Sequence, residues 1–350
     1  MNKTTWLDKF IAVILLLLLT GCKNDGLVAP QAEIDPQPDS EGGLQFTPGY
    51  SQSTEITPTH GQSQTPEPII PNPLTPTSTP TYPYPCSLQL CTHPGHFWMA
   101  RPIAPDGKDD IDGTYRYGST QEGARPIHHG VEFVNREGTP VFAAAEGLVI
   151  VAGNDYQETY ADYPFYYGNL VVIEHHTPGL DVPVFSLYGH LANVGTQMGA
   201  YVHPGDQIGS VGHTGVAEWS HLHFEVRVGR NNYHDTRNPE LWLAPHQDEN
   251  GEINGAIAGR IVDEFGTPIY IPNVVIEKMG PGEVILETIY VETYADFSVN
   301  GDDVWGENFV LGDLVPGEYR ISFVARGLQI WEVTVYPGQL TILTFDAREP

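Results

Sequence analysis

From Cys86 onward the chain is written in short apolar runs of strand length, and no long helical period interrupts them. Pro140-Val-Phe-Ala-Ala-Ala, Gly147-Leu-Val-Ile-Val-Ala, Asn169-Leu-Val-Val-Ile-Glu and Pro183-Val-Phe-Ser-Leu-Tyr stand between Gly, Pro and Asn breaks. Runs of this length, rich in β-branched and aromatic residues, read as strands. Residues 86–245 are therefore expected to form a mainly β domain. Beyond Gly251 a second pattern begins, in which apolar and polar residues alternate. Ala258-Gly-Arg-Ile-Val-Asp, Val274-Val-Ile-Glu, Asn308-Phe-Val-Leu, Gly317-Glu-Tyr-Arg-Ile-Ser-Phe-Val-Ala and Thr341-Ile-Leu-Thr-Phe are separated by Gly, Pro and Asp turns. That spacing predicts a small β-sandwich over residues 251–350.

The N-terminus has a different character. Lys3 and Lys9 precede an apolar run from Phe10 to Leu19, followed by Thr20-Gly21-Cys22. The run is too short to span a bilayer comfortably and has the layout of an export signal. A small residue directly before Cys resembles the lipobox of bacterial lipoproteins. The resemblance implies a lipoprotein signal peptide over residues 1–22, cut before Cys22, a diacylglyceryl group on the Cys22 sulfur, and an extracytoplasmic, membrane-anchored protein. Two acyl chains anchor stably where one does not. Residues 23–85 are dominated by Pro, Thr, Ser, Gln and Gly. Such a segment buries too little to offset its ordering entropy and reads as a disordered tether. Its coil span is on the order of 45 Å. Setting Cys22 aside leaves Cys86 and Cys91 as an even pair. An exported protein favours a disulfide there over the alternative, a zinc-binding pair. The net charge of -28 excludes nucleic acid and anionic phosphate surfaces as partners.

A set of histidines carries the chemistry. They read His128-His129-Gly-Val-Glu132, then Tyr188-Gly-His190-Leu, then Ser220-His221-Leu-His223-Phe-Glu225. A catalytic zinc site takes three protein ligands, nitrogen or carboxylate, and leaves the fourth position to water. His128, Glu132 and His223 supply such a set, and His190 and His221 remain to handle protons and charge. Side chains two apart on a strand share a face, so His221 and His223 point into one site. His129 stays open as an alternative to His128. His60, His93, His96, His203, His234 and His246 are expected at the surface, and His175, His176 and His213 in the scaffold or at the groove edge.

Taken in order, His128-His-Gly-Val-Glu132, Asn169-Leu-Val-Val-Ile-Glu-His, Leu187-Tyr-Gly-His190-Leu, Gly209-Ser-Val-Gly-His-Thr-Gly215 and His221-Leu-His-Phe-Glu-Val-Arg resemble the M23 (LytM/lysostaphin-type) zinc metallopeptidases. The resemblance covers roughly residues 125 to 243. It implies a LytM-type antiparallel β-sheet domain with one Zn2+ and hydrolysis of the peptide cross-links of bacterial peptidoglycan. The family's His-x-x-x-Asp falls on His128 and position 132. Its His-x-His falls on His221 and the ligand His223, and its separate catalytic histidine on His190. Two departures stand out: the family aspartate is Glu132, and its Gly-Pro before His-x-His is Trp219-Ser220. Glu132 is one methylene longer, and Gly130 is expected to supply the backbone slack that lets it reach the metal. The alternative is a non-catalytic LytM-like domain that binds cell wall or activates a separate hydrolase. Gly259-Arg-Ile-Val-Asp-Glu-Phe-Gly-Thr-Pro268 and Leu314-Val-Pro-Gly-Glu-Tyr-Arg resemble carboxypeptidase-regulatory-like and transthyretin-like sandwiches, which implies a binding or spacing module.

Overall fold

The structure, a computed structural model, describes residues 89–348 apart from Pro105, Pro178 and Glu249. The export signal, Cys22, the tether and Cys86 lie outside the described residues. Among the described residues there is no α-helix. The two helical pieces are short 3-10 turns, Tyr233–Asp235 and Pro239–Leu241. The mainly β reading holds. Cys91 is disulfide-bonded, to a partner outside the described residues.

The first region, residues 131–237, is built on a seven-stranded sheet. Its order is Thr236–Arg237, His221–Val228, Val184–Gly189, Asn169–His175, Gly147–Asn154 and Tyr201–Val202, with Val131–Val134 pairing on His221–Val228 as well. Every pairing in it is antiparallel. The strand His221–Val228 is buried along its whole length. Leu222, Phe224 and Val226 enter an apolar cluster with Val131, Phe133 and Tyr188. The period of two then places His221, His223, Glu225 and Arg227 on the opposite face, also out of water. Buried polar groups need partners, and that face is where they find one another.

Residues 255–346, joined by Leu90–His93, form two four-stranded sheets. One contains Val284–Val291, Val274–Gly280, Gly317–Val324 and Leu328–Val335; the other contains Leu90–His93, Leu340–Asp346, Gly255–Val262 and Phe309–Leu314. Ile257, Ile276, Phe309, Ile321 and Val335 fill the space between them. Gly255–Val262 and Leu340–Asp346 run parallel.

Two expectations change here. The strand Leu90–His93, read as part of the 86–245 domain, is the edge strand of the second sheet, antiparallel to Leu340–Asp346. Which sheet offers a free edge is not written in a strand's own sequence. That second sheet is also buried on both faces. Ala256, Ala258, Val310, Leu340 and Ile342 join the cluster of the seven-stranded sheet with Met99 and Trp242, whereas Ile257, Ile261, Leu311 and Leu343 face the sandwich. The alternating apolar run is a doubly covered strand, with alanines on the side where the first region comes close. His93 and His96, expected at the surface, are buried at this junction. The His96 ring stacks on Trp242 at 4.0 Å between centroids, and its Nε2 lies 2.7 Å from Asp302 Oδ2.

Candidate metal centre

Two strand registers assemble the site. Glu132 stands opposite His223 in one pairing, and Gly189 stands opposite His223 in the other. His128 leads into the strand Val131–Val134, and His190 directly follows Val184–Gly189. The five residues singled out in the sequence therefore converge. Gly130 contributes otherwise than as slack. A Cβ there would lie 2.8 Å from the His223 ring and 2.5 Å from the Phe224 carbonyl, so the missing side chain makes room for the imidazole.

The donor atoms of His128, Glu132 and His223 all lie within 4.8 Å of one another, and all three residues are buried. His128 Nδ1 donates to the Tyr115 carbonyl at 2.8 Å, which leaves Nε2 as a lone pair. That lone pair faces Glu132 Oε1 at 2.9 Å and His223 Nδ1 at 3.3 Å. His223 Nε2 faces Glu225 Oε1 at 3.0 Å, and its Nδ1 lies 3.1 Å from Glu132 Oε1. Two imidazole nitrogens and a carboxylate oxygen thus converge with one backbone-anchored proton and one carboxylate-anchored proton pointing away. Such a set fits a metal ion, and the chemistry of the donors suits zinc. Burial opposes charge on His223, but Glu132 and Glu225 on either side outweigh it and raise its pKa to about 9. Burial also pushes the Glu132 carboxyl up, and the close imidazoles of His223, His128 and His221 outweigh that and hold it well below its ordinary range.

His129 is settled by geometry. Its Nδ1 reaches the Tyr233 carbonyl at 3.1 Å, and its ring stacks on Tyr233 at 3.8 Å. It belongs to the packing behind the site, not to the ligand set.

His190 and His221 sit beside the cluster, 4.8 Å apart between ring centroids. Each donates from Nδ1 to a backbone carbonyl, Thr214 for His190 and Trp219 for His221, both at 2.8 Å. The His190 ring therefore offers Nε2 for proton traffic. His221 Nε2 approaches Glu132 Oε2 to 2.8 Å, a contact that the extra methylene of Glu132 extends to. Burial, with His223 and His221 close by, depresses the His190 pKa to about 3, so the ring is neutral. Its backbone is left-handed, with φ of +60°, a conformation that a non-glycine residue holds only when its surroundings impose it.

Several functional residues escaped the sequence reading. Glu225 Oε2 receives Arg227 Nε at 2.8 Å, and its Oε1 holds both His223 and the Tyr167 hydroxyl. Arg227 Nη2 reaches the same hydroxyl at 2.9 Å. This fully buried trio fixes the His223 tautomer. The signal was present as polar residues at every second position of a strand with no exposed face. Tyr115 stacks on His128 at 4.0 Å, nearly parallel. At the rim, the Arg125 guanidinium lies over Tyr115 and Trp219, 5.3 Å and 5.0 Å from their ring centres. Asp109, Asp110 and His246 form a second group of candidate ligands, but Asp313 and Arg101 already share its charges.

Residues 126–236 match the family described as Peptidase family M23. The peptidoglycan DD-endopeptidase ShyA of Vibrio cholerae is 34% identical over 101 residues, 29% of this chain and 20% of that protein. The DD-carboxypeptidase/endopeptidase Mpg of Neisseria gonorrhoeae is 34% identical over 102 residues, again 29% of this chain and 20% of the relative. The chain thus spans about a fifth of the length of these relatives. Among solved structures, the catalytic domain of lysostaphin from Staphylococcus simulans is 29% identical, with a TM-score of 0.29, over 36% of this chain and 84% of that one.

Proposed function

We propose that this protein is an extracytoplasmic, lipid-anchored zinc endopeptidase that hydrolyses the peptide cross-links of bacterial peptidoglycan. The observation that carries the reading is the convergence of His128 Nε2, Glu132 Oε1 and His223 Nδ1 on one point flanked by two further imidazoles. The match of residues 126–236 to the M23 family supports it, as do the wall-directed activities in the relatives' names. Anchoring rests on the Thr20-Gly21-Cys22 sequence.

His128, Glu132 and His223 would hold the metal. A zinc ion there supplies a Lewis acid that polarises the scissile carbonyl. The protein's own groups do the rest. Glu225, Arg227 and Tyr167 hold the His223 ring in place. His190, with its Nδ1 proton tied to the Thr214 carbonyl, presents Nε2 to accept a proton from the attacking water, and His221, whose Nε2 faces the Glu132 carboxylate, lends its N–H dipole to the developing oxyanion. Trp219 and Tyr115 wall the approach. The sandwich, whose sequence resembles carboxypeptidase-regulatory modules, is the support of the peptidase region.

The test uses the full-length chain. Elemental analysis after zinc reconstitution should give about one zinc per chain, and dye-labelled peptidoglycan should release soluble fragments in a chelator-sensitive reaction. A folded, zinc-loaded protein inert on several wall types would leave the wall-binding or activator reading in its place.

A further inference from the structure

We propose that Glu292, carried by the sandwich, is a positioning residue for the metal centre: its carboxylate fixes the turn that holds His128. The inference rests on the zinc reading above.

The turn is Ser119 to Gly123, in the segment just before His128. Glu292 Oε1 accepts from the backbone amides of Thr120 at 2.9 Å and Gln121 at 3.1 Å, and from the Ser119 hydroxyl. Its Oε2 accepts from the Tyr270 hydroxyl at 2.7 Å, so the carboxylate is itself held within the sandwich. Gln121, Glu122 and Gly123 have φ of +48°, +57° and +84° in succession. Consecutive left-handed residues are costly, and turns of this kind gather amides into a concave anion seat. A carboxylate in that seat stabilises a conformation the chain would otherwise leave. Ser119, Gln121 and Glu122 line a cleft of about 380 Å³ opposite Tyr290 and Glu292, so the turn has little other packing on that side.

From the turn the constraint passes directly to the ligand. The His128 amide donates to the Ser119 carbonyl at 3.1 Å, and the Gly118 amide donates back to the His128 carbonyl at 2.7 Å. The imidazole's own anchor is the Tyr115 carbonyl on the same segment. Because that anchor is a backbone atom, its place is set by where the segment runs, and Glu292 sets that. The sandwich also supports the segment at Tyr117, whose hydroxyl accepts from the Asn300 amide at 2.9 Å, and Tyr294 fills the space a side chain at Gly118 would need.

The experiment measures zinc affinity of the full chain against a competing chelator. Removing the support of a ligating histidine typically weakens metal binding by about 10-fold to 100-fold. Glu292→Ala is expected to weaken zinc by at least about 10-fold. Glu292→Gln, whose amide oxygen still accepts from the turn, should recover most of the loss. Val333→Ala, a cavity in the sandwich core, serves as the control of comparable thermal destabilisation and should leave the affinity unchanged. In metal-free protein, amide exchange at Gly118 and His128 should quicken in Glu292→Ala but not in Val333→Ala. If the alanine chain fails to fold, Glu292→Asp, which keeps the charge but falls a methylene short of the turn, carries the same expectation. Wild-type zinc affinity in Glu292→Ala, or an equal loss in Val333→Ala, overturns the positioning role alone. A wild-type protein that takes up no zinc overturns the proposed function and this role together.

Discussion

At the scale of single residues, the proposed function separates atoms that would hold a metal from atoms that would act. His190 and His221 stand outside the three-ligand set, with Nδ1 tied to Thr214 and Trp219 carbonyls. His190→Ala and His221→Ala should therefore retain zinc while wall hydrolysis falls by roughly two orders of magnitude, the usual size of acid–base and oxyanion contributions. Parallel measurement of metal content and dye release checks this, and unchanged rates in both variants would remove the assigned roles. Glu132 does more than a shorter aspartate can. One oxygen meets His128 and His223 while the other lies 2.8 Å from His221. Glu132→Gln replaces an anionic donor by a neutral amide and should weaken zinc by at least about 10-fold. Glu132→Asp should bind zinc but lose activity, because the side chain can no longer span the ligands and His221. An inert wild type that gains activity as the aspartate variant would instead mark a decayed enzyme.

At the scale of elements, strand registers decide the site, and small residues decide the registers. Gly130 lets the His223 imidazole lie against the neighbouring strand. Gly130→Ala drives a methyl into that ring, and repair requires a backbone shift that typically costs about 1–3 kcal/mol. Lower thermal stability together with weakened zinc uptake is expected. Normal values for both would show that the strand relaxes freely. The strand Asn169–His175 carries a different sensitivity. His175 is buried, donates from Nδ1 to the Glu146 carbonyl at 2.7 Å and has Nε2 2.8 Å from the Ser186 hydroxyl. Burial lowers its pKa to about 4. Between that value and its unfolded value near 6.5 the unfolded chain binds the extra proton, so stability falls as the pH drops through this window. The contribution amounts to roughly 3 kcal/mol, fully present above about pH 6.5 and gone below about pH 4. Denaturant unfolding at a series of pH values should show the slope in wild type and a shallower one in His175→Gln. Equal slopes would assign the acid sensitivity elsewhere.

At the scale of the whole molecule, the peptidase region and the sandwich are not separable beads. Ala256, Ala258, Val310, Leu340 and Ile342 complete the cluster that contains Met99 and Trp242, and Leu90–His93 is an edge strand of the same sheet. A chain ending at residue 250 would expose that apolar face and leave Leu90–His93 without its partner. It is expected to lose cooperative unfolding and to bind an apolar dye, whereas the full chain melts with both regions coupled. A truncated protein with a sharp transition and full zinc uptake would show that the two parts fold independently.

The sequence by itself determined the fold class and singled out side chains that the fold brings together. Strand-length apolar runs left no other architecture, and His128, Glu132, His190, His221 and His223 were legible because ligand-type residues at fixed local spacings need no tertiary information. Glu225, Tyr167 and Arg227 were half legible, as polar residues at every second position of a strand with no exposed side. Only the tertiary structure decided what depends on distant partners. It assigned Leu90–His93 to the far sheet, turned His129 away from the ligands, buried His93 and His96 against the sandwich, and brought Glu292 to the turn before His128. The physical reason is the same in each case. A strand's two faces follow from its own alternation, but which surface covers each face is settled only when the sheets meet.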